Sequence, residues 1–366
     1  MTRALATIDL AAFRRNVEWL VATAAPAEVM LAVKANAYGH GVLPMSRAAL
    51  EAGATALAVL EVDAGLALRA AGITVPLFAW LHGRDTDWRA AAEARVDLGV
   101  SAVWQLEAIA ESGADVPARV HLKIDTGLSR NGASAEDWPE LVATAVRLES
   151  LGLLEVYGAW SHLADASTAD DEIALVKFQI AVEVAESFGA RFQKLHLAAS
   201  SAGIRMPKAR FDYVRFGIAA FGVSPFDDVD GPGMGLEAPM TLSAPVLAIA
   251  DLPAGPGRMG DLEYHLAEGA RLALVAIGYG DGVQTPAADR AEVLIGGERR
   301  RIVALGVDRM LVVADDVTVA VDDRVIVFGS DRRGEPTAEE WAAHADSIGD
   351  EIVASVAPRV PRVYVN

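Results

Sequence analysis

Lys34 ends the apolar run Val29-Met30-Leu31-Ala32-Val33 and is followed by a small, glycine-bearing stretch, Ala35-Asn36-Ala37-Tyr38-Gly39-His40-Gly41. A lysine at the end of an apolar strand carries its amine to the mouth of a fold rather than to a solvated face, where it can form a Schiff base with a carbonyl. Other chemistry-bearing residues also stand where apolar runs end. Asp125-Thr126-Gly127 with Arg130 follow one run, Ser161-His162 another and Ser200-Ser201 a third, while Arg215 and Gly217 mark a fourth. A lysine, a histidine, two arginines and several hydroxyl or backbone donors form a set suited to an anionic ligand. The set has neither a carboxylate pair nor a histidine-rich metal cluster, which argues against glycosidase and metallohydrolase chemistry. An imine-forming lysine among phosphate-type donors suggests pyridoxal phosphate, whose tail is dianionic. Lys123 lies inside an apolar run and needs a partner, because an unpaired buried ammonium is very costly.

These residues require elements that bring their ends together. Asp9 reads as the N-cap of a helix with Leu10, Phe13, Val17, Leu20 and Val21 at helical spacing, and Pro26 stops it. Short apolar runs then recur at 29–35, 56–62, 76–81, 96–101, 119–125, 154–163, 194–200 and 213–219. Alanine-rich helical patterns at 45–52, 64–71, 103–112, 140–148 and 172–188 separate most of them. This alternation predicts an α/β fold, a parallel (β/α)8 barrel whose strand ends carry the site, with an open doubly wound sheet as the alternative. The acidic, turn-rich stretch 226–235 reads as a linker. Beyond it helices nearly vanish, and strand-like runs at 245–250, 271–277, 291–295, 301–305, 310–313, 317–321 and 324–328 predict an all-β domain. The expected division is a barrel over 8–228 and a β domain over 229–366 that includes residues 1–7.

Composition narrows the function. The 366 residues can bury a large core, and there is no cysteine, which excludes disulfides and thiol chemistry and fits a reducing, cytoplasmic setting. A formal charge of -18 with scattered basic residues argues against nucleic acid. No apolar stretch reaches the roughly 20 residues of a membrane span, and no signal peptide is apparent.

The stretch Ala32-Val33-Lys34-Ala35-Asn36-Ala37-Tyr38-Gly39-His40-Gly41 resembles the cofactor-lysine signature of the bacterial alanine racemases. The likeness continues through His121–Arg130, Gly158-Ala159-Trp160-Ser161-His162, Val214–Ile218, Leu272–Gly282 and Arg359-Val360-Pro361-Arg362, and so spans nearly the whole chain. It implies a fold-type III pyridoxal-phosphate enzyme and a head-to-tail homodimer whose sites use both subunits. Lys34 would form the internal aldimine and act as base on one face of the substrate's α-carbon. Tyr38, Ser200, Gly217 and Ile218 would hold the phosphate. Arg215 would face the pyridine nitrogen and, because arginine keeps its proton, leave that nitrogen an unprotonated acceptor. Arg130 would lie by the phenolic oxygen and the substrate carboxylate. The resemblance further implies that Lys123 can be carbamylated, becoming an anion that positions Arg130, and that Tyr279, Val307 and Asp308 act on the partner's site.

The sequence departs from the family pattern around one part of that site. The tyrosine that serves as second base falls on Gly260, with Tyr264 and His265 following shortly after. Ala199 replaces an asparagine, Pro358 replaces a tyrosine that contacts phosphate, and Val307-Asp308 stands for a Met-Asp pair. Amino-acid racemisation is the reading the resemblance supports first. The loss of the second base leaves open a one-base lyase or aldolase acting on D-β-hydroxy amino acids, in which His162 takes a hydroxyl proton, or a catalytically impaired cofactor-binding paralogue.

Overall fold

The computed structural model describes residues 3–288 and 290–366; the first two residues of the 1–7 segment lie outside the described residues. The chain forms two compact units, one made of Val17–Lys34 and Ser46–Gly217, the other of Met1–Asn16, Ala35–Met45 and Ile218–Asn366.

Strand β1 (Leu5–Asp9) precedes helix α1 (Leu10–Ala24), which Asp9 caps by accepting from Ala12 N at 2.8 Å. The barrel unit then contains β2 (Glu28–Ala32), β3 (Ala56–Val59), β4 (Leu77–Ala79), β5 (Val96–Val100), β6 (Ala118–Lys123), β7 (Leu154–Trp160), β8 (Lys194–His196) and β9 (Tyr213–Phe216). They pair in parallel in the order β8-β7-β6-β5-β4-β3-β2-β9. Backbone bonds from Asp212 N to Leu195 O and from Arg215 N to Ala198 O, both 3.0 Å, tie the two end strands and nearly close the barrel. Strands buried on both faces read as continuous apolar runs, and β3 and β5 are buried at every residue. Inside, Met30, Ala32, Ala56, Ala58, Phe78, Trp160 and Tyr213 make one apolar cluster. The crossover helices include Val62–Ala70, Val103–Ala110, Trp138–Ser150 and Thr168–Ser187. Ser167 caps the last of these, accepting from Asp170 N at 3.1 Å. The expected (β/α)8 architecture is thus present, with element ends displaced by a few residues.

The second unit is built on an eight-stranded sheet that adds β10 (Met240–Leu252), β13 (Ala270–Val275), β14 (Glu292–Ile295), β15 (Glu298–Leu305), β16 (Met310–Val313), β17 (Arg324–Phe328) and β18 (Arg362–Val365) to β1. Its order is β13-β16-β15-β14-β17-β10-β1-β18, and β10 also pairs with β13, so the long bulged strand bends the sheet back on itself. All these pairings are antiparallel except β1 with β18. A separate hairpin joins β11 (Gly255–Met259) to β12 (Leu262–Leu266).

Two expectations fail here. The segment 317–321 is not a strand; Val317 and Val319 alternate into the core, but the segment packs against the turn at Gly296 without ladder pairing. Burial alone produced the strand-like pattern. Helices also return near the C-terminus, at Ala338–Ala345 and Gly349–Ala354. Thr337 and Glu340 form a capping box at the first of them, with Glu340 N donating to Thr337 Oγ1 at 3.1 Å.

Candidate active site

In the barrel unit the chemistry-bearing residues stand at or just past strand C-termini. Lys34 follows β2 and is half-buried, Lys123 closes β6 at 2% exposure, His162 follows β7 and Arg215 lies on β9. Arg215 is buried and makes a dense set of bonds. Its NH1 donates to His196 Nδ1 at 3.0 Å, and its NH2 serves Ser161 O at 2.7 Å, Leu197 O at 3.0 Å and His162 Nδ1 at 3.1 Å. Burial, with the nearby Arg130 charge, pulls the guanidinium down to about 9, so it stays protonated at neutral pH.

Lys123 hydrogen-bonds to the side-chain oxygen of Asn131, and its ammonium sits 4.3 Å from the centre of the Trp160 ring. Burial first, then Arg215 and Arg130, push its amine down to about 7 against the opposing pull of Asp125. The partner that the sequence demanded is therefore neutral, and the cost is carried as an easily lost proton. His162 is held well below the usual imidazole value by burial and then by Arg215, Arg130, Lys123 and Lys34. Two guanidinium groups and two lysine amines thus bear on one neutral imidazole, in a chain whose net charge is -18.

Loop residues complete this end of the barrel. Asp125 Oδ1 accepts from Gly127 N at 3.0 Å and Ser129 N at 3.1 Å, shaping the loop that carries the exposed Arg130. Ser200 is buried and its Oγ accepts from Gly217 N at 3.1 Å, which leaves the hydroxyl proton available to donate.

The second unit holds the rest of the predicted set. After Lys34 the chain enters a left-handed turn: Ala35, Asn36, Ala37 and Tyr38 have φ of 50°, 55°, 54° and 49°. Such a run of non-glycine residues persists only if its surroundings over-determine it. Gly39 N bonds Ala35 O and Gly41 N bonds Asn36 O, both at 2.9 Å, and Asn36 Oδ1 takes Val42 N at 2.8 Å. His40 Nδ1 donates to Tyr38 O at 2.8 Å, Arg362 Nε to Gly39 O at 2.9 Å and Tyr364 OH to His40 O at 3.1 Å. Tyr38 is buried against the Phe221 ring at 4.9 Å, and burial, then Asp350, raises its phenol, which keeps its proton. Ile218 opens a buried turn, Ile218–Phe221.

The structure brings Tyr279, Val307 and Asp308 together. Tyr279 N donates to Gly306 O at 2.9 Å and Gly280 N to Val307 O at 2.7 Å, and all three side chains are exposed. Gly260 has φ +64° and starts the two-residue loop Gly260-Asp261 of the β11–β12 hairpin, where a glycine in the first central position suits a type II′ turn. Tyr264 pairs with Gly257 across that hairpin, and its ring is buried over the missing Cβ with Leu262, Leu266, Leu272 and Leu311. His265 is exposed.

Sequence reasoning missed His196, His121 and Asp97 as companions of Arg215. The available signal was the two-residue alternation that sends His121 and Lys123 to the same inward face of β6.

A lysine at the end of the first barrel strand and a buried arginine on the eighth, in a chain that pairs a parallel β/α barrel unit with a mainly antiparallel β unit, define the class of a two-unit barrel enzyme. Known proteins specify it further. The family profile described as "Alanine racemase, N-terminal domain" matches residues 8–225, and "Alanine racemase, C-terminal domain" matches 239–364. An alanine racemase of Frankia casuarinae is 43% identical, with 99% of this chain and 96% of that protein aligned. The solved alanine racemase of Streptomyces lavendulae superposes with a TM-score of 0.97 at 39% identity, covering 100% of this chain and 98% of that one. That of Bacillus anthracis, solved with bound L-Ala-P, gives 0.90 at 29% identity, covering 100% and 96%. The chain belongs to the alanine racemase family.

Proposed function

We propose that the protein interconverts the enantiomers of alanine or a related small amino acid, with pyridoxal 5'-phosphate held by Lys34. The observation that carries this reading is the cluster of Lys34, Lys123, Arg130 and Arg215 around neutral His162. Such concentrated positive charge suits a phosphorylated cofactor and a substrate carboxylate. The residues fit the cofactor in other respects. None of the four bonds of Arg215 uses its Nε–H, so a donor is left for a ring nitrogen. The Ser200 hydroxyl and the protonated Tyr38 phenol are donors for a phosphate, to which Ile218 N would add, while Gly217 would act through Ser200, whose Oγ takes its N–H.

When bound, pyridoxal phosphate supplies an electron-withdrawing ring that acidifies the α-proton of an attached amino acid. Lys34 Nζ would carry the cofactor and take or return that proton on one face. Arg215 would hold the ring by its nitrogen without giving up a proton. Arg130 would bind the substrate carboxylate, and His162, kept neutral, would add no further charge. The neutral amine of Lys123 can attack carbon dioxide to give a carbamate and release a proton; this carbamate would neutralise and position Arg130. We further propose that residues 8–228 are the cofactor-binding module, that 229–366 with 1–7 complete the site of a second subunit in a head-to-tail homodimer through Tyr279, Val307 and Asp308, and that the enzyme works in the cytoplasm.

Position 260 matters to the test, because it offers no phenol for the opposite face and a Cβ there would meet no atom within 4 Å. Incubation with L- and D-alanine in deuterated water should give inversion with deuterium at the α-carbon. Exchange of one enantiomer without inversion would overturn racemisation, and aldehyde release from a D-β-hydroxy amino acid would favour the one-base lyase instead.

A further inference from the structure

Arg215 fixes more than its own position. Arginine can only donate, so the Nδ1 atoms that face it in His196 and His162, at 3.0 and 3.1 Å, must both be bare. Each of these neutral rings then carries its proton on Nε2. His196 Nε2 lies 2.9 Å from His121 Nδ1 and therefore donates to it, which places the His121 proton on Nε2 in turn. That atom has no hydrogen-bond partner and faces Asp97 Oδ2 at 3.7 Å, a separation across which the attraction is electrostatic. Asp97 is held from its far side by Arg119, through Nε at 2.7 Å and NH2 at 2.9 Å. One guanidinium at the catalytic end thus dictates a single direction of donation, Arg215 to His196 to His121, ending on a carboxylate at the other end of the barrel.

The surrounding structure is shaped to keep this line. His196 stacks on Trp160 at 5.8 Å and meets the edge of Phe78 at 5.2 Å. Gly158 makes room for His121, since a Cβ there would come within 2.4 Å of His121 Nδ1, the atom that receives the proton of His196. Burial, then Arg215 and His121, hold His196 well below the usual imidazole value, in agreement with a neutral ring. Asp97 is itself buried, and Arg119, which covers it, lines a cleft of about 720 Å³ with Arg69, Arg95, Glu149 and Glu155.

We propose that Asp97 and His121 are positioning residues for the reaction: acting through His196, they orient Arg215 toward the cofactor's ring nitrogen. The proposal rests on the function assigned above, and the experiment separates the two. In ¹⁵N NMR of the histidine-labelled holoenzyme, His121, His196 and His162 should each show a protonated Nε2 and a bare Nδ1. In steady-state kinetics, Asp97→Asn and His121→Phe should each lower kcat about 10–100-fold, the loss typical of removing an outer partner of a site residue. KM and cofactor content should be unchanged, and the double variant should be no slower than either single one, because one line is cut. An Nδ1-protonated His196 overturns the proposal, as do losses that multiply in the double variant or variants with unaltered kcat. Wild type that binds the cofactor without racemising any small amino acid instead overturns the function, whatever the imidazoles show.

Discussion

Two lysines at the barrel's strand ends differ in burial. Lys34 is half-buried at a strand end, where its amine can reach a ligand. Lys34→Ala should cost racemisation at least the ~10²–10⁴-fold of a positioned base, and it should abolish the absorption band of the reconstituted enzyme; a colourless wild type under the same conditions would refute the cofactor assignment. Lys123 is buried with an amine at about 7, below its ordinary 10.5. Between those values the unfolded chain holds a proton that the folded chain has shed, so stability rises with pH across the window, and below about 7 the penalty is fully present. The advantage of Lys123→Met over wild type in urea unfolding should therefore grow as pH falls from 10.5 toward about 7 and then level off. A pH-independent difference would show that the folded amine titrates no lower than the unfolded one. The position was readable as buried and in need of a partner from its apolar neighbours, but its cationic surroundings were not, because Arg215 and Arg130 come from distant parts of the sequence.

Local elements hold strain that the sequence only hints at. The left-handed turn Ala35–Tyr38 is enforced from outside, by Arg362, Tyr364 and the ring of His40, and by a close approach at Gly39. A Cβ on Gly39, at φ +80°, would lie 2.5 Å from Val353 O. Gly39→Ala should cost ~1–3 kcal/mol or more in denaturant unfolding. Gly72→Ala makes the control, with φ +87° but no atom within 4 Å of the new methyl, and should cost less. Equal losses would show that backbone conformation, not the contact, sets the requirement. The β11–β12 hairpin follows the same logic. Gly260 is demanded by its turn, so a tyrosine placed there would be strained despite the open space around it. Tyr264 is committed to the core beside Gly257, which removes it as a free replacement.

For the whole molecule, the decisive prediction is that sites are shared between subunits. Tyr279, Val307 and Asp308 form an exposed group in the β unit, 50% and 47% of Tyr279 and Val307 being accessible. Lys34→Ala and Tyr279→Ala chains should each be weakly active alone. Co-expressed, they should form hybrid dimers in which one site carries both native residues, and activity should recover. No recovery, with a dimer present by sedimentation, would place both residues in a site of one chain.

Much of this protein was present in its sequence. Alternating apolar runs and alanine-rich helices specify a parallel sheet covered by helices, because strands covered on both faces must be apolar throughout; they favour a barrel over an open sheet without separating the two, and the stretch around Lys34 identifies the family. Local pattern erred where burial mimics a ladder, at 317–321, and where a capping box restarts helix at Thr337. The company each site residue keeps is set by the folded barrel. Whether Arg215 meets carboxylate, carbonyl or imidazole depends on which residues of strands far apart in sequence point inward at the same level, and that is set by strand register and barrel closure. The line from Arg215 through His196 and His121 to Asp97 draws on four different strands, and no local interaction joins them until the barrel has closed.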